Sequence, residues 1–141
     1  MAWYPDLSPY SYLPNYIPAG QTILNVGWLE HGHDFPVGDP PGGFLDALAE
    51  LCARNAHAPT RGFHSCNLCS DEDLKPSTVD IGGRKAMLGN AEIRVISENG
   101  TILTAPNLVL HYVDRHRYLP PAEFVEAVLA RREVPLQAMR L

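Results

Sequence analysis

The stretch Cys66-Asn67-Leu68-Cys69 constrains this chain more than any other. A Cys-x2-Cys spacing lets the backbone curl so that both sulfurs face one ion at about 2.3 Å. The chain has three cysteines, an odd number, which argues against a disulfide scaffold. A reducing, cytoplasmic setting fits better, and zinc is the expected ion.

Zinc prefers a tetrahedron of thiolate and imidazole ligands, so two more must come from elsewhere. His111 and His116 have four residues between them, inside the His-x3–5-His range. On an ideal helix, five steps of ~100° place their rings about 140° apart. A loosened or 3₁₀-like last turn would bring them together. His64 is the alternate ligand, two residues before Cys66, and would give three donors from one loop. The expected set is Cys66, Cys69, His111 and His116. The rival is a pair of buried thiols with histidines capping backbone groups. A thioredoxin-like redox pair would need a strand inside a βαβ unit, which this sequence does not suggest. Two thiolates cancel the ion's charge and four protein ligands leave no place for water, so the metal reads as structural.

The segments around this cluster predict an α+β fold: a small antiparallel sheet with about three helices. QTILNVGWL (21–29) reads as the first strand. HGHDFPVGDPPGG (31–43) holds too much Gly and Pro for a regular element. Phe44, Leu45, Leu48, Leu51 and Cys52 recur at helical spacing, so Cys52 is expected to be a small buried hydrophobe. DEDLKPSTVDIGG (71–83) reads as a polar loop. Ile93, Val95 and Ile102 alternate with polar residues across Asn99-Gly100, a strong hairpin signal. Thr104 then offers an N-cap for a helix over about 106–117, with Val109, Tyr112, Val113 and His116 on one face. Leu119-Pro120-Pro121 breaks it, and a last helix turns Phe124, Val125, Val128 and Leu129 inward.

Residues 1–19 hold four of the six tyrosines and four of the thirteen prolines. Proline blocks helix and central strand, while the aromatics are too many for a free linker. We read an extended arm (1–19) packed through its tyrosines on a core at 20–135, the whole chain (1–141) forming one domain. Trp28 belongs to the core, and Trp3 anchors the arm.

Glu30, His31 and His33 form a second dense spot, with Asp34 beside them. A carboxylate and two imidazoles suit acid–base work or a second metal, and His33 is the best base. The bland alternative is a solvated turn. Gly89-Asn90 offers amides to an anion, and Arg61, Arg84, Arg94, Arg115 and Arg117 would line an anion pocket if gathered; most are expected to face water or pair with acids. The net charge of −5 with only 11 Lys plus Arg disfavours nucleic acid. No run approaches the ~20 apolar residues of a membrane helix, and the N-terminus reads as no signal peptide.

YSYLP, LNVGWLE with HDF, RGFHSCNLC, GNAEIRV, TAPNLVLHYV and HRYLPPAEF follow in that order. Together they resemble a family of small bacterial proteins, associated with actinomycetes, that forms a domain of unknown function. The resemblance spans about residues 10 to 130 and implies no reaction. It does single out His33, His64, Cys66, Cys69, His111 and His116. This chain departs from the pattern by an extra histidine, His31, and a longer stretch before Gly89. The expectation is a zinc-stabilised binding or accessory protein whose arm and 30–43 loop meet a protein partner or small ligand. A metal-dependent hydrolase or nuclease-like enzyme and a zinc-finger-type nucleic-acid binder are the alternatives.

Overall fold

The Asn99-Gly100 turn reverses the chain between two neighbouring strands. In the computed structural model, which describes residues 3–10, 21–57, 66, 68–69, 77–81 and 84–136, Ser97 and Thr101 close this turn and Gly100 has a φ of 87°. Only glycine enters that left-handed region without strain. The turn joins β4 (Glu92–Ile96) to β5 (Ile102–Pro106) in antiparallel register, with Ile93 opposite Ala105 and Val95 opposite Leu103. On its other side β5 pairs with β1 (Ile23–Asn25), and this pairing is parallel. The three-stranded sheet is therefore mixed, in the order β1-β5-β4, rather than antiparallel throughout. A parallel partner needs a long crossover between the strands, and no local signal announces it.

β1 is shorter than the sequence suggests because Gly27 takes a φ of 74° and turns the chain out of the ladder. The Asp6 carboxylate accepts the Gly27 N–H at 3.0 Å. Val26, Trp28 and Leu29 remain buried beyond the ladder, and Trp28 Nε1 donates to Thr104 O at 3.2 Å. A separate hairpin pairs β2 (Ser77–Ile81) with β3 (Arg84–Leu88). β2 thus occupies part of the stretch 71–83 expected to be a polar loop, and the alternation in STVDI with the following Gly82-Gly83 is the sequence signal for it.

Among the described residues three helices accompany the strands: α1 (Phe44–Arg54), α2 (Val109–His116) and α3 (Ala122–Leu129). Thr104 and Pro106 lie in β5 rather than opening α2, whose N-cap is Leu108. Residues 31–41 form no helix or strand, as their Gly and Pro content requires. α3 buries Phe124, Val125 and Val128, whereas Leu129 is exposed at its C-terminal end.

The two-residue period of the sheet sorts the core into two layers. Ile93, Val95, Leu103 and Ala105 share one face and pack with Phe44, Leu48, Val109, Tyr112, Phe124 and Val128 of the helices. Ile23 and Ile102 share the other, with Trp28, Val134 and Tyr10 of the arm. The described arm residues hold the body through several contacts. Tyr10 is buried, Tyr4 meets Trp28 edge-on, and Trp3 stacks on His33 with ring centroids 3.9 Å apart. Ser8 and Tyr10 exchange backbone bonds with Asn25 and Ile23. At the far border of the sheet, Arg132 and Val134 bond the backbone of β4.

Because both faces are covered, Arg94 is not on the surface. It is fully buried and pairs with Glu92 at 2.9 Å. Glu92 also accepts Tyr10 OH at 2.8 and 3.0 Å and Thr104 Oγ1 at 3.2 Å. Burial raises the Glu92 carboxyl above its ordinary range, and these partners oppose the rise.

Candidate metal centre

α2 brings two imidazoles to the Cys-x2-Cys loop. Val109, Tyr112 and Val113 bury one side of the helix, leaving His111 and His116 partly exposed. Its last turn is wide. Arg117 N–H bonds Tyr112 O five residues back, and Tyr118 N–H reaches the same oxygen at 3.1 Å. Arg117 itself sits in the left-handed region at a φ of 56°. A turn wider than α advances less than ~100° per residue, so positions five apart move toward overlap. The loosened turn anticipated from the spacing is thus present, and the two rings lie 5.1 Å apart. Tyr118 locks the chain just past this turn: its buried hydroxyl donates to the Asp6 carboxylate, 2.9 Å from both oxygens.

The loop supplies the sulfurs. Cys66 is buried in the main core, while Cys69 is only partly covered. Backbone amides of Leu68 and Cys69 bond the Cys66 sulfur, the local curl that the two-residue spacing permits. Cys66 Sγ lies 3.5 Å from His116 Nε2, and Cys69 Sγ lies 3.1 Å from His111 Nε2 and 3.4 Å from His116 Nε2. All four donor atoms fall within 4.8 Å of one another. With zinc–sulfur near 2.3 Å and zinc–nitrogen near 2.0–2.1 Å, a regular tetrahedron has a sulfur–nitrogen edge of about 3.5 Å. The Cys66–His116 and Cys69–His116 contacts match that edge, and the Cys69–His111 contact at 3.1 Å is shorter.

The electrostatics agree with this donor set. Burial, with the neighbouring Cys69, pushes the Cys66 thiol up to about 11. A cation is what would turn it into a thiolate at neutral pH. Burial, and then the Arg115 charge, lower His116 below its ordinary value and favour the neutral ring that ligates a metal. Burial, and then the two sulfurs, push the Tyr112 hydroxyl well up, keeping it protonated beside the cluster.

The other sequence candidates are distributed differently. His33 Nε2 lies 3.9 Å from Glu30 Oε2, and its ring is stacked under Trp3. His31 is exposed on the turn beside Gly32. Among the described residues, Cys66, Cys69, His111 and His116 form the one set of three or more such donors that converges; Glu30, His31, His33 and Asp34 do not join a second. His64 and Arg61 lie outside the described residues. The described arginine side chains do not gather into an anion pocket: Arg94 is in the core, and Arg117 pairs with Asp39 at the surface. The Gly89 amide is already used, donating to Asn107 Oδ1 at 2.6 Å, and Asn107 also bonds Asn90. Cys52 is a buried thiol bonded to Asn107 O at 3.7 Å, as its helical face implied.

A family model described as a domain of unknown function, DUF7919, matches residues 2–129. The chain belongs to this family. The DUF7919 match takes in all four converging donors and the Glu30–His33 turn. No curated protein matches the chain, and no solved structure does. Among the described residues no helix is long and apolar enough to cross a membrane.

Proposed function

We propose that this DUF7919 chain is a zinc-stabilised binding or accessory protein of a reducing compartment, with the ion as a clasp rather than a catalyst. One observation carries this reading: four thiol and imidazole donors from two distant segments converge within 4.8 Å of one another, close enough to share one ion. Two sulfurs and two nitrogens saturate zinc, and the two thiolates neutralise it, so no position remains to activate water. The clasp ties the Cys66–Cys69 loop to α2.

The contact surface is the 30–43 loop and the ground beside it. The described arm residues pack on the body, so they support the surface rather than reach for a partner. The loop carries Val37, which is 59% exposed. Next to it an apolar groove of about 720 Å³ runs along Pro41, Leu119, Pro120, Val125 and Leu129. That shape suits an apolar side chain of a protein partner or a small ligand.

Metal analysis of the reduced chain, paired with a Cys66→Ser variant followed by circular dichroism, tests the reading. The expected result is one zinc per chain, with metal and tertiary order lost together in the variant. A variant that keeps its fold while a hydrolytic activity disappears would favour the metal-enzyme reading. Salt-dependent affinity for DNA or RNA would favour the nucleic-acid reading.

A further inference from the structure

We propose that the Cys66–Cys69 pair makes the clasp releasable by oxidation: a peroxide joins the two sulfurs, and the loop comes free of α2. The inference rests on the zinc reading and adds a regulation of that same site. Three features of the chain carry it.

The first is which ligands share a segment. Both sulfurs belong to one short loop, and they lie within 4.8 Å of each other. A disulfide needs them at about 2.05 Å, a move that stays inside the loop. Both imidazoles belong to α2, so joining the sulfurs removes both donors that the described loop residues bring to the cluster. Of the four converging donors the cation is left with two neutral rings and no thiolate, a weak site for zinc.

The second is access. Cys69 is partly exposed, while Cys66 is 4% exposed beneath it. An oxidant in solution meets Cys69 first, and Cys66 is placed to resolve the product.

The third is the lack of a competitor. The chain has one other cysteine, Cys52. It is 5% exposed, bonded to Asn107 O, and pushed far from ionisation by burial. A thiol in that state is a poor nucleophile.

The chemistry balances with hydrogen peroxide as oxidant. The Cys69 thiolate attacks one peroxide oxygen; an S–O bond forms, the O–O bond breaks, and hydroxide leaves to take a proton as water. Cys69 is then a sulfenic acid. The Cys66 thiolate attacks Cys69 Sγ; the S–S bond forms, the S–O bond breaks, and the second hydroxide takes a proton as water. Two thiolates have lost two electrons, and one peroxide has become two waters with two protons consumed.

The test uses the full chain, reduced, loaded with zinc and freed of excess metal. Hydrogen peroxide is added beside a chromophoric zinc chelator, and the products are mapped by peptide mass. The expected result is one zinc released per chain, a loss of two hydrogens mapped to a Cys66–Cys69 bridge, and return of the metal on adding reductant and zinc. A Cys52→Ala variant should release its zinc in the same way. A reduced chain that takes up no zinc overturns the clasp itself. A chain that takes up zinc and keeps it at peroxide doses that oxidise free glutathione overturns the release alone. Release without a bridge, or with a bridge to Cys52, overturns it as well.

Discussion

Removing the cation from the reduced chain should lower its melting temperature by about 13 °C. The size follows from where the clasp closes the chain. Cys69 and His111 are 42 residues apart, and Cys66 and His116 are 50 apart. A cross-link closing a loop of that length removes unfolded-state entropy worth about 4 kcal/mol, by the relation used for disulfides. The two sulfurs hold zinc even when the chain is unfolded, which subtracts their share of the binding energy. What remains is the tie from loop to helix, and the loop-closure term describes that tie. With 141 residues, the unfolding entropy at the midpoint is about 0.3 kcal/mol/K. Dividing the first figure by the second gives the shift. Differential scanning calorimetry in reductant, zinc-loaded against chelator-treated, measures it. The His111→Ala/His116→Ala double variant should melt where the stripped protein does and respond little to chelator. A shift below about 3 °C, or an undiminished response in the double variant, would refute the argument that the clasp spans these segments.

Tyr10→Phe removes the hydroxyl that donates to the buried Glu92, and it should cost about 2 kcal/mol in urea denaturation. Gly27→Ala places a Cβ 2.8 Å from Val109 Cγ2 at a φ of 74°; the expected loss is roughly 3 kcal/mol, part of which a Val109→Ala background should restore. His57 is buried against Val134 O, and burial lowers its pKa from 6.5. Below pH 6.5 the unfolded chain takes up the proton that the folded chain resists, so stability falls as the pH drops. Urea midpoints at acid and neutral pH should show this slope, and His57→Gln should flatten it relative to wild type.

The converging Cys/His cluster was legible because these residue types are tied to spacing. Cys66 and Cys69 declare a knuckle, and His111 and His116 fall in a ligating interval, although their ideal helical angle argued against them. The wide turn at Tyr112, Arg117 and Tyr118 eases that conflict, and Tyr118 beside it bonds Asp6 from far earlier in the chain. The β4–β5 hairpin was legible for a similar local reason, since Asn99-Gly100 dictates a reversal. The parallel β1–β5 pairing was not, because it joins residues about eighty positions apart with no local mark. Arg94 pairs with an acid, Glu92, as one of the two outcomes expected for it; its burial was not legible, because Tyr10 reaches over the guanidinium from the distant arm.

The way the sheet's borders are closed has a consequence for the molecule's behaviour in crowded solution. β1 spends its outward amides and carbonyls on Ser8 and Tyr10, and β4 spends its own on Arg132 and Val134. Neither margin of the three-stranded sheet offers a strand from another molecule a free row to join. Clipping the chain ahead of residue 11 would strip that guard from β1 and uncover Ile23 beside it. A sheet that is complete within one molecule would then become a template on which copies could polymerise.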